Sequence, residues 1–118
     1  SLPAGAAAVW LVFRAIGSVV AVPLAEELAF RGYLTRRLQA ADFTAVSPGR
    51  LTAFALIASS LLFGALHGRW LAGTLAGAVY AWAYHRRGRL TDAVLAHATT
   101  NALLTAHVLA TGDWPLWS

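Results

Sequence analysis

The chain contains no cysteine and no lysine, and only 12% of its 118 residues are charged. The absence of cysteine excludes a disulfide framework, a thiolate metal site and a cysteine nucleophile. Hydrophobic residues make up 58% of the sequence, more than a soluble core of this size can bury. These proportions predict a membrane protein, in which a carboxylate at membrane depth is a candidate functional group.

Four apolar segments are separated by short connectors, which predicts an all-α, polytopic membrane bundle of about four transmembrane helices. The segments are residues 4–28, 51–66, 71–84 and 90–110. Arg14 and Pro23 interrupt the first segment, and the proline is expected to kink or reset the helix. Residues 30–43 mix apolar and basic side chains and predict a short amphipathic helix at the membrane interface.

The start of the chain and the spacing of its small residues add two expectations. The sequence begins at Ser1 without a signal peptide, so we expect residues 1–118 to be a single domain within a longer membrane protein. Two pairs of glycines are spaced four apart, which predicts close approach of helix backbones where lipid gives no hydrophobic drive for association. These pairs are Gly64 with Gly68 and Gly73 with Gly77.

Aromatic and basic residues concentrate near the segment ends. The aromatic residues are expected to form an interfacial belt, with members Trp70, Tyr80, Trp82, Tyr84, Trp114 and Trp117. The positive-inside rule places the first and third connectors in the cytoplasm, and the Arg69 connector and the Asp113 tail outside. Arginines spread over short connectors indicate topology rather than a nucleic-acid partner, so the expected surroundings are a lipid bilayer.

Polar residues inside the apolar segments are the candidate site. Glu27 and Arg31 are spaced i, i+4, which suits an ion pair on one helix face. Glu26 points about 100° away from Glu27 and has no partner in the same turn. A carboxylate desolvated inside a bundle suits a general base, whereas an ion pair at the interface is the structural alternative for Glu27.

Two histidines and an asparagine accompany these acids on later segments. His67 ends the second segment, and His97 lies seven residues into the fourth. Asn101 follows His97 by one helical turn, so both side chains lie on the same face. A hydrogen-bonded interfacial histidine is the alternative for His67, and a helix-to-helix hydrogen bond is the alternative for Asn101.

Together these residues resemble the motifs of a known family. Residues 26–31 fit EExxxR, residues 63–67 fit FxxxH, and residues 97–101 fit HxxxN. In this order they resemble the CPBP family, the type II CAAX prenyl endopeptidases and their bacterial relatives, also called the Abi family. The phrases LFGALHGRWLAGTLAG and AVLAHATTNALL resemble the CAAX-protease-related proteins that accompany exosortase and PEP-CTERM sorting systems in bacteria.

The resemblance implies an intramembrane glutamate endopeptidase of the bacterial inner membrane, acting on a membrane-associated protein or peptide. Its motifs imply that Glu26 and His67 activate a water molecule, and that His97 and Asn101 stabilise the oxyanion. Glu27 and Arg31 would orient the first motif. No cofactor is implied, and an exosortase sorting system is an expected partner.

Two other functions stay open at this stage. Two histidines and a glutamate could hold zinc with one position free, as in a metalloprotease, although HExxH is absent. The chain could also be a membrane scaffold or immunity protein without catalysis.

Overall fold

A computed structural model describes residues 1–117, and the elements within them are helical. Four helices form the bundle: α1 (Ala4–Arg37), α2 (Ala53–Ala65), α3 (Trp70–Arg87) and α4 (Leu90–Thr111). Short 3-10 turns lie at Phe43–Ala45 and Trp114–Trp117. The predicted all-α bundle is confirmed.

Helix α1 continues past Pro23, and the expected reset takes the form of a change in hydrogen-bond register just before the proline. It contains two π-helical segments, Gly17–Ala21 and Leu28–Leu34. In the first segment the N–H of Val22 bonds to the carbonyl of Gly17, five residues back. The wider turn accommodates the proline, because one helical hydrogen bond is already displaced there.

The interfacial helix expected over residues 30–43 has different bounds in the structure. Residues up to Arg37 continue α1, and the chain then turns into Phe43–Ala45. Asp42 caps that turn, its carboxylate accepting a hydrogen bond from the N–H of Thr44 at 3.1 Å. The basic residues at the end of α1 are therefore part of the long first helix.

The other helices begin and end at residues suited to these positions. The Thr52 hydroxyl accepts a hydrogen bond from the N–H of Ala55 at 3.1 Å and caps α2. Gly88 ends α3 and Gly112 ends α4, with φ of 66° and 73°. Glycine takes this left-handed conformation without the steric cost that a Cβ would add.

The bundle presents apolar side chains on its outer surface. Helices α1 and α4 are long and apolar enough to cross a membrane, and α2 is a shorter apolar helix. Large apolar side chains on all four helices are more than half exposed, as for Phe13, Phe54, Leu75 and Leu95. An outer surface of this kind suits contact with lipid rather than water.

Close packing of α2 against α3 depends on three of the four glycines predicted for it. A Cβ on Gly64 would lie 2.4 Å from the carbonyl oxygen of Trp70. A Cβ on Gly73 would lie 3.1 Å from Cα of Gly64, and one on Gly77 would lie 3.1 Å from Cβ of Phe63. Gly68 differs from the prediction, because nothing lies within 4 Å of its Cβ position.

Candidate active site

A buried ion pair forms the floor of the site. The side chains of Glu27 and Arg31 are both fully buried, and Oε2 of the acid lies 3.2 Å from NH1 of the arginine. Arg31 also donates a hydrogen bond to the carbonyl of Gly77, and its guanidinium carbon lies 5.1 Å from the ring centre of Phe63. The predicted ion pair is confirmed, and it lies in the protein interior rather than at the interface.

His97 is held on this floor in a single orientation. Its Nδ1 lies 2.8 Å from Oε1 of Glu27. Because a carboxylate paired with arginine can only accept, Nδ1 carries a proton and donates it to this hydrogen bond. The ring of Tyr80 stacks on the imidazole at 4.5 Å between centres and 13° between planes. Nε2 is thereby directed toward Glu26, 3.7 Å from its Oε2.

His67 is oriented by the end of its own helix. Helix α2 ends at Ala65, so its last carbonyls lack helical donors, and Nδ1 of His67 lies 2.6 Å from the carbonyl oxygen of Phe63. The carbonyl accepts, so Nδ1 donates, and Nε2 of the neutral ring is left as an acceptor. The Phe63 ring stacks on His67 at 4.5 Å.

Glu26 lies between the two imidazoles. Its Oε2 is 3.8 Å from Nε2 of His67 and 3.7 Å from Nε2 of His97, and both distances exceed a hydrogen bond. Within residues 1–117 this oxygen has no hydrogen-bond partner. The side chain is 32% exposed, whereas the adjacent Glu27 is fully buried.

Asn101 joins α4 to the π-helical segment of α1. Its Nδ2 donates a hydrogen bond of 2.7 Å to the carbonyl of Ser18. Val22 bonds to the carbonyl five residues back, and in the same register the Ser18 carbonyl would accept from the N–H of residue 23. Residue 23 is a proline, which has no N–H. Asn101 therefore supplies the missing donor, and its amide nitrogen still carries a second N–H.

One open cavity of about 480 Å³ collects these groups. Glu26, His67, His97 and Asn101 all line it. Glu27 and Arg31 do not line it and lie behind His97. The structure thus brings the four residues predicted as catalytic to one space, with the two supporting residues beneath.

Sequence reasoning missed Tyr80 and the backbone of Ser18. Tyr80 and Tyr84 were predicted to belong to the interfacial belt, but both are buried, at 3% and 4% exposure. Tyr80 follows the tightly packed Gly77 by three residues, so the helical spacing could have predicted that Tyr80 lies on the same buried face of α3. The Ser18 carbonyl has no signal in the side-chain pattern.

Within the described residues 1–117, no group of three or more His, Asp or Glu side chains is arranged to hold a metal ion.

Fold and site define a polytopic α-helical membrane protein with two histidines and a free carboxylate facing one cavity. The family model of the Rce1-like type II CAAX prenyl endopeptidases matches residues 8–103, and the chain belongs to that family. No curated protein and no solved structure is significantly similar to it. The family assignment made from the motifs is confirmed, and with it an integral membrane protein of an intramembrane protease family.

Proposed function

We propose that this chain hydrolyses a peptide bond in a membrane-associated protein or peptide, with water activated by Glu26 and His67. One observation carries the proposal: a carboxylate oxygen without a hydrogen-bond partner lies 3.8 Å from Nε2 of His67, whose Nδ1 is bonded to the Phe63 carbonyl. With the carboxylate ionised and the imidazole neutral, neither atom can donate a hydrogen bond to the other. A water molecule between them can donate one hydrogen to each, which directs its lone pair toward a substrate.

The hydrolytic step balances on these groups. The water oxygen bonds to the scissile carbonyl carbon while its proton passes to Glu26, and the carbonyl oxygen becomes an oxyanion. When the carbon–nitrogen bond breaks, the proton held by Glu26 goes to the leaving amine. The carboxylate is then restored and a second product retains the new carboxyl group.

His97 and Asn101 are proposed to stabilise the oxyanion. His97 can donate from Nε2 only as an imidazolium, because Nδ1–H is already bonded to Glu27. In that form the charges of Glu26, Glu27, Arg31 and His97 sum to zero, which a low-dielectric interior favours. Asn101 contributes the N–H that is not bonded to Ser18. Each such donor is worth roughly 2.7–4 kcal/mol in known enzymes.

The substrate class and the cellular location belong to the same proposal. The family description is that of a CAAX prenyl endopeptidase, which supports a peptide with a prenylated cysteine three residues before its end as the first probe. The motif phrases support placement in a bacterial inner membrane beside an exosortase sorting system.

The test measures cleavage of that peptide by purified protein in lipid. Glu26→Gln and His67→Ala should each lower kcat by about a hundredfold or more, and the double variant should lose little further, since the two act on one water. His107→Ala is the matched control, because this exposed histidine lies on α4 outside the cavity. Normal turnover by either site variant contradicts the assignment. A wild-type protein that cleaves neither this peptide nor its unprenylated form supports the scaffold alternative.

A further inference from the structure

Arg14 lies in the same cavity as the proposed catalytic groups and no function above uses it. It belongs to an apolar helix, where a cation is costly unless it has a partner or a role. Within residues 1–117 no carboxylate lies within ion-pair distance of it. Its guanidinium instead donates to the carbonyl of Trp117 and lies 5.5 Å and 4.9 Å from the rings of Trp10 and Trp117.

The π-helical segment aligns Arg14 with Glu26. Twelve residues of regular α-helix would turn the two side chains about 120° apart. The π-helical turn contains about one residue more than an α-helical turn, so the two side chains are related as if eleven residues apart, which reduces the angle to about 20°. Accordingly Arg14, Ser18, Val22 and Glu26, spaced by four, all line the cavity.

We propose that Arg14 binds a carboxylate of the substrate, an inference that rests on the proposed peptidase function. A guanidinium has five N–H donors in a planar arrangement that suits a carboxylate. In this structure Arg14 donates to the carbonyl oxygen of Trp117, which is a neutral acceptor and leaves the positive charge uncompensated. The same cavity thus holds an oxygen-binding cation and the proposed water-activating pair.

The distance along α1 limits where that carboxylate lies. Arg14 and Glu26 are separated by at most about 18 Å along the helix axis. An extended peptide advances about 3.3 Å per residue, so the carboxylate lies at most about five residues from the scissile bond. Two sources meet this limit: the C-terminal carboxylate of a substrate cut near its end, and an Asp or Glu side chain close to the bond.

The experiment compares matched peptides on wild type and Arg14→Gln. The probe with a prenylated cysteine three residues before its end is made as the free acid and as the C-terminal amide. A second pair of amides carries Asp or Asn as the last residue. Arg37→Gln is the control, because Arg37 is an exposed arginine on the same helix outside the cavity.

Wild type is expected to prefer the free acid over the amide through KM, and Arg14→Gln should raise KM for the free acid by about ten- to a hundredfold with kcat kept. The amide should be processed alike by both proteins. Arg14→Lys should retain part of the preference, because the charge remains without the fork. A preference confined to the Asp amide also supports the site and assigns the carboxylate to a side chain.

Equal KM within both peptide pairs on wild type, acid against amide and Asp against Asn, overturns the proposal, and so does an equal loss of both members of each pair on Arg14→Gln. Binding of the fluorescent peptides to the Glu26→Gln protein, measured by anisotropy, separates this outcome from failure of the peptidase proposal. If the free acid binds more tightly than the amide and this difference depends on Arg14, the carboxylate site is supported. If the wild-type protein nevertheless cleaves neither peptide, the peptidase proposal is refuted while the carboxylate site stands.

Discussion

Glu26 and Glu27 are neighbours in sequence and occupy opposite environments. Glu27 accepts from Arg31 and from His97 and has no exposed surface. Oε2 of Glu26 is buried and lies too far from two imidazole nitrogens for hydrogen bonds, whereas the side chain as a whole is partly exposed. A carboxylate paired with a cation holds its neighbours in place, whereas one without a hydrogen-bond partner is available to take up a proton.

This contrast predicts different effects of the two conservative substitutions on stability. Glu27→Gln leaves Arg31 as an uncompensated buried charge and should lower the free energy of unfolding by about 3–5 kcal/mol. Glu26→Gln breaks no hydrogen bond within residues 1–117 and should change stability by less than about 1 kcal/mol. Unfolding in detergent micelles measures both. Removing the arginine charge as well, in the double variant Glu27→Gln with Arg31→Met, should recover part of the lost stability.

Equal destabilisation by Glu27→Gln and Glu26→Gln would refute this division of roles.

Metal content tests whether Glu26 acts on water directly. We expect purified protein to hold zinc well below one ion per chain and to keep its activity in chelator. Elemental analysis is the primary measurement, because a buried site can release metal slowly. One zinc per chain, lost together with activity in His97→Ala, would replace the glutamate mechanism with a metalloprotease, as would wild-type activity that chelator abolishes and added zinc restores.

Side-chain patterns predicted part of this site. The spacing of Glu27 and Arg31 gave their pairing, because residues one turn apart on a helix meet irrespective of the tertiary fold. The convergence of Glu26, His67 and His97 came from the family resemblance, since three separate helices must pack before these groups meet. The stacking of Tyr80 on His97 depends on that packing and was missed.

At the scale of helices, the contact between α2 and α3 sets the position of His67. Gly64 faces the first turn of α3, where a Cβ would lie 2.4 Å from the Trp70 carbonyl. Backbones approach this closely only where a side chain is lacking. The loop bearing His67 begins directly after α2, so a shift of this helix moves the imidazole.

Gly64→Ala should therefore destabilise the bundle by about 1–3 kcal/mol, the usual cost of overpacking, and should reduce cleavage by moving His67. Gly68→Ala is the matched control, because the space around its Cβ position is open for 4 Å. Thermal unfolding in detergent and the peptide assay give the two readouts. Similar losses from both substitutions would contradict the assigned contact.

The helix boundaries show where sequence reasoning reached its limit. Apolar segments separated by polar connectors located all four helices, although only α1 and α4 are long and apolar enough to cross a membrane. Pro23 pointed to a kink or reset, and the structure has a π-helical turn directly before it in an otherwise continuous α1. The amide of Asn101, which donates to the Ser18 carbonyl, comes from another helix and has no signal near the proline.

For the whole molecule, orientation in the membrane remains a prediction from the arginines. Arg31 is buried in the bundle and contributes nothing to the count, but Arg36, Arg37 and Arg50 still make the first connector basic.

Cysteines placed beside Arg36 and beside Arg87 should resist an impermeant thiol reagent in intact cells, whereas one beside Trp70 should be labelled. The native chain has no cysteine, so the unmodified protein is the blank. Membrane disruption should expose the protected positions. Labelling of the first two and protection of the third would reverse the orientation and the side from which the cavity opens.

The π-helical turn of α1 also has a consequence for insertions and deletions. Gly17–Ala21 contains about one residue more than an α-helical turn requires, so deleting one residue there closes the turn and keeps Arg14 and Glu26 within about 20° of a common face. The following Val22–Glu27 is regular α-helix, and a deletion within it rotates both glutamates by about 100° relative to Arg14. Changes of chain length are therefore tolerable in one turn of this helix and disruptive in the next.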